Sequence, residues 1–184
     1  DAQKHFLEGK LKQLSIPYVT IDTRSLSDIY DAIGRVAAAT GETAAGERVI
    51  RETRSAIEQV RMRTAGVAKP AVLCVVDRTP GTLREMYVAT KESFLADLIE
   101  AAGGRPLVPP TDIGYGRLTK EMLATMNPDV ILDMTQHSPG TLAEDLLVVW
   151  KQLPELKAVR TGRVHPIRED YAVHPSPLVA RTIR

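Results

Sequence analysis

An internal disulfide is ruled out at once, because the chain has one cysteine, Cys74. It lies inside the apolar run AVLCVV, so it reads as a small buried hydrophobe and says little about redox compartment. Aromatic side chains are scarce, with two Phe and one Trp, so the five tyrosines supply most of the stacking surface a ligand could use. No apolar stretch approaches the roughly 18 residues of a membrane span, and the opening DAQKHFLEGK lacks the features of a signal peptide. Neither sign of charge is in excess. The 24 Lys and Arg against 23 Asp and Glu give no argument for nucleic acid or for a membrane surface as partner.

What is present centres on residues 43–66, TAAGERVIRETRSAIEQVRMRTAG. Val49, Ile50, Thr53, Ile57 and Val60 recur at helical spacing, while Glu47, Arg48, Arg51, Glu52, Arg54, Glu58, Arg61 and Arg63 fill the other faces. At about 1.5 Å per residue such a helix is about 35 Å long, near the width of a small domain. Its charges read as a solvated face with pairs such as Glu47 and Arg51.

Before this helix the chain predicts helix, strand, helix. Residues 4–14 carry a helical stripe that ends before Pro17, and residues 18–21, YVTI, are rich in strand formers. Residues 25–41 then show a Ser cap, an apolar stripe through Ile29, Ile33, Val36 and Ala37, and a terminating Gly41. After the long helix, residues 71–76 form an apolar run suited to a strand buried on both faces of a parallel sheet. Residues 77–91 read as a polar loop and 92–102 as a helix, followed by a short strand at 107–108 and a loop through Tyr115 and Arg117. A helix capped by Thr119 comes next, then a third strand at 130–132 and a helix over 141–151 that carries Trp150 away from the loops. Residues 158–159 and 164–167 flank a Thr161-Gly162 turn, and the last residues begin a final helix. The alternation predicts an α/β fold, a three-layer parallel-sheet Rossmann-like lobe preceded by a long connecting helix.

Ligands of open parallel sheets gather at the carboxyl ends of the strands. The loops expected there hold Arg78, Arg84, Tyr87, Lys91, Tyr115, Arg117, His137, Arg168, Tyr171 and His174. Aromatic faces with guanidinium forks suit a planar or anionic ligand. Enzyme signals are thin. There is no GxxxxGK[ST] and no GxSxG, and Gly114-Tyr115-Gly116 is only the start of a dinucleotide fingerprint. Two alternatives stay open: an α/β enzyme for an anionic small molecule using Asp77 or Asp133, and a metal-ion binder using His137 and His174. The histidines, His165 included, lack the tight spacing of a helix-borne or finger site.

Taken in order, four phrases resemble the later part of a periplasmic binding protein of the ferric-siderophore, haem and cobalamin uptake class. LKQLSIPYVTIDTRSLSDIYDAIGRVAAATG looks like the end of a first lobe. FLADLIEAAGGRPLVP, LTKEMLATMNPDVILDM and LKAVRTGRVHPIREDYAVHPSPLV look like successive units of a second. The resemblance implies a remnant of the first lobe at 1–42, an inter-lobe helix at 43–66 and a second α/β lobe at 67–184, with most of the first lobe missing. It further implies a substrate-binding protein of an ABC importer, periplasmic or anchored to the cell envelope. Its ligand would be a ferric siderophore, haem or cobalamin held between lobes, and the prominence of Arg in the loops favours a siderophore over cobalamin. The loops named above would face that cleft, with Glu144 as the acidic residue that docks this lobe on a membrane permease. Iron would be held by its chelator, with no cofactor of the protein's own. With a lobe missing, the strand at 18–21 would have open edges, and the chain is expected to pair with a second copy.

Overall fold

The computed structural model describes residues 2–109, 115–135 and 145–183. In chain order the elements are α1 (Ala2–Gln13), α2 (Leu26–Thr40), α3 (Thr43–Thr64), β1 (Ala71–Asp77), β2 (Met86–Ala89), α4 (Phe94–Ala101) and β3 (Arg105–Pro106). There follow β4 (Tyr115–Leu118), α5 (Lys120–Met126), β5 (Val130–Asp133), α6 (Leu146–Trp150), α7 (Lys157–Arg160), β6 (Val164–Pro166), a 3-10 turn (Asp170–Val173) and α8 (Val179–Thr182).

Alternation along β1 creates the layers. Val72 and Cys74 face a core shared with α2, α4 and α8, through Leu26, Ile29, Phe94, Leu98 and Val179. Leu73 and Val75 face a second core with Met86, Val88, Leu118, Leu123, Ile131, Trp150 and Ala158. Because successive strand side chains point to opposite faces, a strand apolar at every position must be covered twice. The three-layer expectation therefore holds.

The sheet runs β4, β2, β1, β5, β6, with β3 paired beside the start of β1. It is mixed. β1, β3, β5 and β6 are parallel, whereas β2 pairs antiparallel with both β1 and β4. This corrects two expected loops. Residues 86–89 and 115–118 are strands because Met86, Val88, Gly116 and Leu118 alternate inward while Tyr87, Tyr115 and Arg117 stay exposed. The short strand expected at 107–108 lies at Arg105–Pro106, although the Leu107 amide still donates to the Val72 carbonyl at 2.8 Å. Residues 158–159, expected to flank the Thr161-Gly162 turn, lie in the helical turn α7.

The helix expected over 43–66 is observed as Thr43–Thr64, with Gly46, Thr53, Ala56, Ile57 and Val60 buried and Glu47 paired to Arg51 at 3.6 Å. Ser25 and Asp28 close a capping box on α2, and Gly41 ends it with φ of 78°. Residues 18–21 form no strand. They lie beside α1, where Thr20 Oγ1 donates to Glu8 at 3.2 Å, because strand propensity needs a neighbouring strand to complete its ladder. Phe6, Leu7, Leu14 and Ile16 of this part are exposed. The premise for pairing copies through strand edges at 18–21 falls with the strand.

Two outcomes follow from this packing. A Cβ on Gly46 would overlap that of Ala37 where α3 crosses α2, so G46A lowers stability in urea unfolding by about 1–3 kcal/mol. This exceeds the gain of about 1 kcal/mol in helix propensity. Burial, with a smaller contribution from Asp133, pushes the Cys74 thiol up to about 12. Iodoacetamide at about pH 8 should leave Cys74 unlabelled in the native chain and label it after unfolding.

Candidate functional site

Register lays out the sheet near the carboxyl end of β1 as a row that steps back two residues along β1, from Asp77 to Val75. Arg117 of β4 stands opposite Tyr87 of β2, Tyr87 opposite Asp77 of β1, Val75 of β1 opposite Asp133 of β5, and Asp133 opposite Pro166 of β6. Four inter-strand steps of about 4.8 Å give a sideways span of about 19 Å. Its two ends are chemically distinct.

At the β4 end, Tyr87, Tyr115 and Arg117 project on one face. Tyr87 and Tyr115 are each more than 40% exposed, at 42% and 43%. Arg117 Nη2 lies 3.1 Å from Glu85 Oε1, with both side chains well exposed. Partial burial, helped by nearby Cys74, raises the Tyr115 hydroxyl above its ordinary value, so it stays a neutral donor. Arg84 is exposed on the adjoining turn, where its carbonyl accepts from the Thr79 amide at 3.0 Å. This end offers two aromatic faces and a guanidinium. At the β6 end, Arg168 and His174 are exposed and Tyr171 is half-buried on the 3-10 turn. The structure thus gathers Tyr87, Tyr115 and Arg117, with Arg84 on the adjoining turn, and sets Arg168, Tyr171 and His174 on the far margin.

Between the ends lies a feature that sequence reading missed. Arg78, expected to face the ligand, is turned inward with its side chain wholly buried. Its Nε meets Asp133 Oδ2 at 2.9 Å and its Nη1 donates to the Thr82 carbonyl at 3.1 Å. The same Asp133 oxygen accepts from Trp150 Nε1 at 2.9 Å, and Oδ1 accepts from the Thr135 amide at 3.0 Å. Trp150, expected away from the loops, is therefore buried directly beneath them. No local pattern signalled it, because register pairs Asp133 with Val75 and Arg78 reaches it from further along the chain.

These placements bear on both alternative chemistries. Asp133 has its two oxygens committed to three donors, whereas Asp77 is exposed and its Oδ1 accepts from the Arg78 amide at 2.9 Å. Among the described residues no three of His, Cys, Asp and Glu come together as a metal site. His137 and Glu144 lie outside the described residues. A groove of about 270 Å³ beside α4 and the last residues is lined almost wholly by apolar groups such as Val72, Leu98, Leu132 and Ile183, and lacks the convergent polar groups an anionic ligand needs. Among the described residues no helix is long and apolar enough to cross a membrane. Thr135 Oγ1 is the buried side-chain oxygen that finds no partner among the described residues. T135V removes that unpaired hydroxyl and should raise stability in urea unfolding by about 1 kcal/mol.

The chain matches the periplasmic binding protein family over residues 5–171. It is 24% identical over 161 residues to the high-affinity heme uptake system protein IsdE of Staphylococcus aureus (strain Newman), covering 86% of this chain and 54% of that protein. It thus spans about half the length of that relative. The crystal structure of S. aureus IsdE complexed with heme superposes with a TM-score of 0.79 at 23% identity, covering 98% of this chain and 70% of the other. An ABC-type Fe3+-hydroxamate transport protein of Saccharomonospora viridis gives 0.74 at 18% identity, covering 88% and 55%. The vitamin B12 binding protein BtuF of Vibrio cholerae gives 0.73 at 17% identity, covering 95% and 65%. With the family match running through nearly the whole chain, from α1 to the 3-10 turn, the chain belongs to the periplasmic binding protein family.

Proposed function

We propose that this chain supplies one wall of a ligand cleft in a substrate-binding protein of an ABC importer, and that the ligand is an anionic, planar metal chelate of the haem type. The carrying observation is the single face on which Tyr87, Tyr115 and Arg117 stand together at one end of the transverse row. Tyrosine rings offer apolar area with a polar tip, and a guanidinium recognises carboxylates through paired donors. The heme uptake protein of S. aureus to which the chain is similar supports the same ligand class. A ferric siderophore is the second reading, favoured by the additional exposed Arg84 and Arg168 and by the likeness to the Fe3+-hydroxamate protein.

In this reading residues 43–66 join two lobes, 1–42 belong to the first, and 67–184 form the second. Arg84, Tyr87, Tyr115 and Arg117 meet the ligand from one end of the row, while Arg168, Tyr171 and His174 close the other. Arg78 acts from behind them. His137 is proposed to face the cleft and Glu144 to dock on the permease. Delivery to an ABC permease places the protein outside the cytoplasm, periplasmic or tethered to the cell envelope.

The test adds haem, a ferric hydroxamate siderophore and cobalamin in turn to the full-length protein and follows thermal unfolding. A ligand at about one hundred times its Kd stabilises by about 2.7 kcal/mol, a clear rise in Tm. Haem should produce that rise, and Y87A or R117A should weaken haem binding by about tenfold or more, each losing on the order of 1.4 kcal/mol. No rise with any of the three ligands sinks the proposal. A rise with the siderophore alone selects the second reading.

A further inference from the structure

Carboxylates at strand ends are normally solvated or used as turn formers, yet Asp133 is only 2% exposed and sits where three chain segments converge. The segment after β1 contributes the Arg78 guanidinium, α6 contributes the Trp150 indole, and the segment after β5 contributes the Thr135 amide. Arg78 does not stop at Asp133. Its Nη1 continues to the Thr82 carbonyl, in the middle of a turn that is closed by the Thr79 amide on the Arg84 carbonyl and by Thr82 on the Thr79 carbonyl. The guanidinium is thus a strut between a fixed anion on β5 and the turn bearing Arg84 and leading into Tyr87.

We propose that Asp133 is a positioning residue, one whose buried carboxylate sets the turn at residues 78–85 against the start of the β5 to α6 segment and so holds Arg84 and Tyr87 in place for the ligand. The inference rests on the reading of that rim as a ligand site, although its structural half can be tested without ligand. The physical argument turns on the difference between stabilising and placing. An apolar pair of similar volume commonly replaces a buried ion pair without loss of stability, because the charges cost so much to desolvate. Such a pair cannot aim a strut at Thr82. A variant that removes both charges together should therefore lose placement at the turn, beyond the stability it loses because Asp133 also serves Trp150 and Thr135.

The experiment compares the wild-type protein with R78M/D133L, using Tm, amide hydrogen exchange in the ligand-free state, and haem titration. The Thr79 amide is the reporter, since its bond goes to Arg84 and not to Asp133. The Ile131 amide, bonded to the Arg163 carbonyl in mid-strand, is the control. The expected result is a Tm lowered by the Trp150 indole and Thr135 amide that D133L leaves without their acceptor, protection at Thr79 lowered by about tenfold or more, and protection at Ile131 lowered much less. Haem affinity should fall by about tenfold or more, a difference on the order of 1.4 kcal/mol. Thr79 protection within about twofold of wild type overturns the proposal, and so does wild-type haem affinity in a variant whose turn has loosened. If R78M/D133L does not fold, R78K decides. It retains the charge pair and loses the planar fork, so Thr79 protection should fall by about tenfold while Thr135 stays protected, and an unchanged Thr79 overturns the proposal. Failure of wild-type protein to bind haem or siderophore would remove the ligand reading alone, leaving the exchange result to stand or fall separately.

Discussion

A carboxylate withdrawn from water must be met by donors where it stands, and that requirement at Asp133 organises the end of the sheet. Two residues distant in sequence, Arg78 and Trp150, are drawn to one oxygen atom at 2.9 Å each. Their convergence brings the turn after β1 and the helix α6 over the same strand end. Without that anion Arg78 would be a buried cation with no counter-charge, a state whose cost exceeds anything the surrounding apolar contacts return. The rim residues on β2 and β4 inherit their positions from this anchor through the short turn and the antiparallel register that follows it.

The second constraint is coverage. β1 presents apolar groups on both faces, so helices must lie above and below it, and the exposed part of the sheet is pushed outward to β2 and β4. That is where Tyr87, Tyr115 and Arg117 stand. The aromatic face exists because helix cover runs out before the sheet does.

Much of this was legible in the sequence, for reasons that differ by element. β1 and β5 could be read as apolar runs because both faces are buried. α3 could be read because its stripe coincides with the side that packs on α2 and α4. β2 and β4 could not, since each is four residues long and every exposed position is a Tyr or Arg, a pattern that locally matches a polar loop. Residues 18–21 misled in the opposite sense, having strand formers but no strand beside them among the described residues. At the rim, residue types alone selected Tyr87, Tyr115 and Arg117, and only register shows that these three share a face while Arg168 and Tyr171 lie across the sheet. The Arg78 and Asp133 pair, 55 residues apart, was beyond any local pattern, because an arginine in a polar loop reads as exposed until the partner's position is known.

β4 is also the margin of the sheet, and a margin presents amide and carbonyl groups that a foreign strand can complete. Glu85 and Arg117, joined at 3.1 Å and open to water, lie across the last two strands, and an incoming chain would have to strip or bury them. The same arginine thereby discourages fibril-like stacking. Trading it for an apolar side chain would invite aggregation at this margin.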